Sequence, residues 1–200
     1  MSRTIDPAKH AEILNQAKTM FMRQGFARTS MDAIAAAASV SKPTLYRHFA
    51  DKSDLFREVM HHVARYVQQQ WPVFEGDETL DQRLDRFAVV LHGLLFQPSS
   101  LAFLRLVIHE TERDAEIGET YRTLVDEPML KSLQRALAGA SDVSRHSQVW
   151  VAPVFVALVR DPWLLSALTT GQVPTPRKLA AVRRSAIQRI RALLEEDARR

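Results

Sequence analysis

Apolar residues recur along this chain at three- and four-residue intervals almost from end to end, and strand-like alternation is hard to find. Asp6-Pro7 offers an N-cap with Pro at the first helical position, and Ile13, Leu14, Ala17 and Phe21 then mark one buried face. Gly25 suits the end of that helix, with Phe26 folding back on its last turn. A second helix is predicted from Thr29 or Ser30, with Asp32 three residues after Thr29 as in a capping box. Its face is Met31, Ile34, Ala35 and Ala38, and Ser39-Val40 makes a turn. Ser41 caps a third helix that tolerates Pro43 in its first turn and is anchored by Leu45 and Phe49. A fourth follows Asp51-Lys52-Ser53 and runs to about Gln70, where Trp71-Pro72 stops it.

From residue 79 the helical period continues with more apolar residues. Leu80, Leu84, Phe87, Leu91, Leu94 and Leu95 form a stripe that Pro98 stops. Helices are then predicted over 101–113, over 115–137 with Pro128 dividing it, and over 145–170 with kinks or breaks at Pro153 and Pro162. Thr175-Pro176 opens a last helix, with Leu179, Val182, Ala186, Ile190, Leu193 and Leu194 on its inner side. The expected fold class is all-α.

Composition narrows the function. The 200 residues are 46% hydrophobic and 25% charged, ordinary values for a folded domain. Cysteine is absent, which excludes disulfide scaffolds, thiolate metal sites and cysteine nucleophiles. The N-terminal stretch is polar, and the uncharged run 87–104 is interrupted by Gln97, Pro98, Ser99 and Ser100. A soluble, cytoplasmic protein without a membrane partner is therefore expected. Residues 1–65 hold 10 Lys/Arg against 6 Asp/Glu, whereas residues 66–200 hold 17 of each. The whole excess of +4 thus lies in the first third, as a polyanion partner would require.

Two short helices joined by a three- or four-residue turn make a helix-turn-helix, whose second helix is narrow enough for a major groove. The surface of that helix would carry Lys42, Thr44, Tyr46, Arg47 and His48, and no acidic residue lies between Ser39 and Ala50. Cations, hydroxyls and aromatics are the groups that reach phosphates and base edges.

The run Gly25-Phe26-Ala27-Arg28-Thr29-Ser30-Met31-Asp32-Ala33-Ile34-Ala35 leads into Val40-Ser41-Lys42-Pro43-Thr44-Leu45-Tyr46-Arg47-His48-Phe49, with Lys52 and Leu55-Phe56 behind it. Over about residues 8–60 this closely resembles the DNA-binding domain of the tetracycline-repressor (TetR) family. Ser39 departs from the pattern, which usually has Gly there. The resemblance implies that Thr29, Tyr46, His48 and Lys52 hold phosphates, and that Lys42, Pro43 and Thr44 meet base edges. Arg28 would touch the backbone or minor groove, and Ser41 and Arg47 complete the expected DNA-binding set. Arg105-Leu106-Val107-Ile108-His109-Glu110 looks like the C-terminal domain of repressors related to AefR.

The resemblance implies a three-helix DNA-binding domain over 1–52, a connecting helix over 53–72 and a helical regulatory and dimerisation domain over 73–200. Expected partners are a palindromic double-stranded operator, a small-molecule effector and a second copy of the chain. Phe87, Leu91, Phe103, His109, Tyr121, Trp150 and Phe155 are the candidates for an effector pocket. Val151, Phe155, Leu158, Leu179, Val182, Ala186 and Ile190 are the candidates for a dimer seam. No cofactor is expected. Adjacent His61-His62 diverge by about 100° on a helix and have no ligand residue at i+4, which disfavours a metal site. Arg105 and Glu110 read as a pair within a helical core. An all-helical enzyme finds no nucleophile–base pair, metal spacing or phosphate loop in the sequence. A protein-binding adaptor is the remaining alternative, and salt-dependent DNA binding separates a repressor from both.

Overall fold

The computed structural model describes residues 6–74, 78–140 and 143–199. Ten α-helices are present among them: α1 (Pro7–Gln24), α2 (Met31–Ala37), α3 (Lys42–His48), α4 (Lys52–Gln70), α5 (Leu80–Leu95), α6 (Pro98–Thr111), α7 (Ala115–Tyr121), α8 (Glu127–Ala138), α9 (Arg145–Thr170) and α10 (Pro176–Asp197).

Side-chain caps fix most starts, because each satisfies a backbone N–H that has no partner inside its helix. Ser30, Ser41, Ser144 and Thr175 accept from Ala33, Thr44, Ser147 and Lys178. Thr79 and Gln82 form a full capping box at α5. The cap of α2 is Ser30 and not Thr29, so the box expected between Thr29 and Asp32 does not form. Gly25 takes φ 83°, and its N–H donates to the Phe21 carbonyl.

The turn between α2 and α3 places Ser39 at φ 53°, the left-handed region. An L side chain there costs about 1–2 kcal/mol, of which glycine is relieved. Glycine in turn loses about 0.5–1 kcal/mol through greater freedom in the unfolded chain. Ser39→Gly should therefore stabilise the protein by roughly 0.5–1 kcal/mol, read as a higher midpoint in thermal unfolding. A lower midpoint would show that the Ser39 side chain makes a compensating interaction.

The chain divides into two units, Met1–Tyr66 with Ala102–Leu124, and Val67–Leu101 with Val125–Arg200. In the first unit, Ile13, Leu14, Phe21, Ile34, Leu45, Phe49, Leu55 and Phe56 share one core with Phe103, Leu106, Val107 and Ile117. Phe56 sits at its centre, with ring centroids 5.4, 5.5 and 6.4 Å from those of Phe21, Phe26 and Phe103. The division differs from an unbroken second domain over 73–200, because most of α6 and all of α7 belong to the first unit. Periodicity shows which side of α6 is apolar but not which neighbour covers it.

The second unit buries Leu80, Leu84, Phe87, Leu133, Val151, Phe155 and Ile190 in one core, and Phe96, Leu101 and Ala167 in a smaller cluster. Pro98 opens α6 instead of merely stopping α5, since a first-turn proline gives up no helical hydrogen bond. The predicted helix 115–137 is interrupted by a π-helical turn, Arg122–Asp126, ahead of Pro128. Helix α9 is long and apolar enough to cross a membrane by length and composition. Its buried Val151, Ala152, Phe155, Val156 and Val159 make it instead the central helix of this unit. It is one continuous helix, and Pro153 and Pro162 are both exposed within it.

Candidate nucleic-acid interface

Leu45 and Phe49 are fully buried beneath α3, and the His10 ring stacks on Phe49 at 5.6 Å. With that side anchored, Ser41, Lys42, Pro43, Tyr46 and Arg47 are exposed, and Thr44 is half-buried. Tyr46 is 50% exposed, an unusual state for a phenol ring that has a core within reach. The Thr44 hydroxyl lies 2.7 Å from that of Ser41, which also accepts the Thr44 N–H and caps the helix. Lys42 Nζ reaches Asp32 Oδ2 on α2 at 2.5 Å. Both side chains are more than half exposed, so this pair is worth at most about 1 kcal/mol and gives way easily to a better anion. Arg28 is also exposed, its Nε donating to the Gln24 carbonyl at 2.8 Å.

Three of the expected phosphate ligands are placed differently. Thr29 is buried, and its hydroxyl donates to the Gly25 carbonyl at 2.8 Å while accepting from Gln24 at 3.3 Å. His48 is half-buried with Nε2 enclosed and without a partner. Desolvation, then Arg47 and His10, push its pKa below the usual histidine value, which favours the neutral ring. Lys52 points inward: its ammonium donates to the carbonyls of Phe26, Thr29 and Ala27 at 2.7, 2.9 and 3.3 Å. The resemblance nominates these residues as phosphate ligands but does not reveal which backbone groups compete for them.

The seven effector candidates are divided between the two units. Phe87, Leu91, Trp150 and Phe155 belong to the core of the second unit, where Trp71 stacks on Phe87 at 5.0 Å. Phe103 and Tyr121 pack in the first unit, and His109 is exposed with Nε2 3.9 Å from Glu110. A groove of about 710 Å³ between α5 and α10 is lined by none of the seven. Its walls are charged, with Asp85 paired to Arg183 at 2.8 Å, and Asp81 nearby bonded to Arg191 at 2.5 Å.

One polar residue of the second unit was missed. His92 is buried, and its Nε2 lies 2.9 Å from the Val159 carbonyl, so Nε2 carries the proton and Nδ1 is left as an acceptor. That Nδ1 is enclosed without a partner, and burial holds the ring pKa below its usual value. Phe96 lies 5.7 Å from the His92 ring, and Trp163, in the cluster around Phe96, has an enclosed Nε1 donor without a partner. A lone His within an apolar stripe is the sequence signal for this.

The dimer-seam candidates pack mostly against their own subunit. Val151, Phe155, Ala186 and Ile190 are fully or almost fully buried within the subunit. Leu158 and Val182 pack on the same core, and Leu179 packs on the Phe96 cluster. The strongest apolar stripe of each helix is the one its own subunit uses. On the outer sides, Val149 and Leu165 of α9 are 67% and 72% exposed, and Leu193 of α10 is 38% exposed.

Comparison with known proteins agrees with this architecture. Residues 13–59 match the family described as bacterial regulatory proteins, tetR family, and residues 82–193 match the AefR-like transcriptional repressor, C-terminal domain. The HTH-type transcriptional regulator AcrR of Shigella flexneri is 49% identical over 110 residues, 53% of this chain and 51% of that protein. The chain thus spans about half the length of this curated relative. Among solved structures, the Flavonoid-responsive Regulator FrrA superposes with a TM-score of 0.78 at 26% identity, covering 92% of this chain and 96% of that one. A TetR transcriptional regulator from Agrobacterium tumefaciens shares the fold with a TM-score of 0.75 at 21% identity, over 94% and 95% of the two chains. With family matches at both ends of the chain, the second covering more than half of it, this protein belongs to the TetR family of bacterial regulators.

Proposed function

We propose that the chain is a cytoplasmic, homodimeric DNA-binding repressor that a small molecule releases from a palindromic operator. The observation that carries this reading is α3: a seven-residue helix pinned by Leu45 and Phe49, with Lys42, Tyr46 and Arg47 exposed beside the half-buried Thr44. Lys42, Pro43 and Thr44 then meet bases, while Tyr46, Arg47 and Arg28 hold phosphates. Two copies reading both halves of a near-palindrome give the contacts that one short helix lacks. Of the apolar residues left exposed on α9 and α10, Val149, Leu165 and Leu193 are the candidates to pair them.

For the effector, the unpartnered acceptor of His92 and donor of Trp163 in the second unit favour a hydroxylated aromatic molecule. A hydroxyl both donates and accepts, and the rings of Phe96 and Trp163 offer apolar cover. The flavonoid response named for one structural relative is in keeping with that class. Helix α4, 19 residues and so about 28 Å long, couples the two events by a change in its tilt. Recognition helices must match grooves about 34–36 Å apart, so a small tilt weakens binding.

The test uses a duplex selected from a random pool. Tyr46→Phe should weaken binding to all sequences alike with little change in salt dependence, because the lost phosphate contact is a neutral hydroxyl. Thr44→Ala should instead change preference at particular base pairs by about 1–3 kcal/mol. Identical effects of both substitutions on matched and mismatched duplexes would refute this division of roles. A hydroxylated flavone should bind more weakly when the operator is saturating, by the same factor that it weakens operator binding. Equal flavone affinity with and without operator would exclude ligand release by this class.

A further inference from the structure

We infer that Lys52 is a positioning residue for the segment joining α1 to α2, and through it for Arg28, and is not itself a phosphate contact. This rests on the reading that Arg28 faces DNA.

An ammonium group has three N–H donors, and here three carbonyl oxygens converge on it, from Phe26, Ala27 and Thr29 at 2.7, 3.3 and 2.9 Å. Those carbonyls bracket Arg28 on both sides, so one cation fixes the backbone from which the Arg28 side chain extends. The same ammonium lies 4.5 Å from the centroid of the Phe26 ring, which adds a cation–π attraction. Phe56 stands four residues after Lys52, on the same side of α4, and its ring meets Phe26 at 5.5 Å. Lys52 and Phe56 therefore grip the segment together, the first through its carbonyls and the second through its aromatic ring. The Thr29 hydroxyl on the Gly25 carbonyl and Arg28 Nε on the Gln24 carbonyl tie down its remaining ends. In this state Lys52 has no donor left for a phosphate.

The geometry also separates shape from charge. Three converging acceptors suit a compact ammonium, whereas a planar guanidinium directs its donors into a fork. A phosphate contact would accept either cation, and arginine often serves it better. Arg28 and Lys52 thus have distinguishable predicted behaviour even though both carry one positive charge.

The experiment combines operator titrations with amide hydrogen exchange on the full chain. Lys52→Met, Lys52→Arg and Arg28→Ala should each weaken operator binding by about tenfold, the size of one lost charged hydrogen bond. The double variant Lys52→Met with Arg28→Ala should be no weaker than either alone, because both changes remove one and the same phosphate contact. Its salt slope should fall by about 1 and not by about 2. Amides of residues 26–30 should exchange faster in both Lys52 variants while circular dichroism shows the helices intact. Full operator affinity in Lys52→Arg, or multiplicative losses in the double variant, would overturn the proposal. Unchanged exchange at residues 26–30 would overturn it as well. That last measurement needs no DNA, so it decides the role of Lys52 even if no duplex binds the wild-type chain and the repressor reading itself fails.

Discussion

Glutamate placed at both Val149 and Leu165 should convert the proposed dimer to monomers and reduce operator affinity by three orders of magnitude or more. The two positions lie about 160° apart around α9, so between them they cover both of its flanks. Whichever falls in the seam would bury an unpaired carboxylate against the second copy, at a cost of about 3–5 kcal/mol per charge. A monomer presents one recognition helix and so loses half of the contacts to a two-fold site. Because both positions are largely exposed in the subunit, thermal stability measured on the isolated monomer should hardly change. The contrast is Ile190, which is fully buried in the subunit core. Glutamate there should unfold the second unit instead of dissociating it. Light scattering with circular dichroism separates the two outcomes. A Val149→Glu, Leu165→Glu double variant that remains dimeric would show that another face pairs the subunits.

Phe56→Ala should destabilise the first unit by about 3–5 kcal/mol, the usual cost of removing a phenyl ring from a closed core. Phe56 is fully buried and lies in ring contact with Phe21 of α1, Phe26 of the connecting segment and Phe103 of α6. Its loss therefore opens a void shared by three elements, which do not all collapse into it together. DNA binding should fall with the fraction of folded first unit, and cooling should restore part of it. Chemical denaturation gives the loss in stability. A cost under about 1 kcal/mol would mean that the aromatic cluster repacks around the gap.

Much of the helix-turn-helix unit was legible because its instructions are local. Ser41 caps α3 whatever surrounds it, Gly25 ends α1 through its own backbone, and Leu45 and Phe49 are four residues apart on a helix. The unusual turn at Ser39 was signalled only through the resemblance, whose pattern usually has Gly there, and the backbone takes φ 53°. The cap of α2 fell one residue later than the capping-box pattern indicates, because the Thr29 hydroxyl is held by the Gly25 carbonyl. Asp32, released from any cap, pairs with Lys42.

Charge type alone did not foretell the direction of a long side chain. Lys52 and Lys42 look alike in the chain, yet one meets three carbonyls of the segment between α1 and α2 and the other lies on the surface beside Asp32. The difference comes from backbone groups that folding brings within reach from residues more than twenty positions away.

By itself the sequence determined the helical period, the stops and caps, the burial of the main apolar stripes and the placing of the positive excess in the first third. Each of these depends on residues within one or two turns of one another, or on a simple sum of charges. Tertiary structure alone decided that most of α6 and all of α7 join the first unit, and that Val151, Phe155, Ala186 and Ile190 face inward within one subunit. It alone also left His92 Nδ1 and Trp163 Nε1 enclosed without partners. A helix carries its apolar side with it, but the surface that covers that side is chosen by the other helices, and no local spacing records that choice.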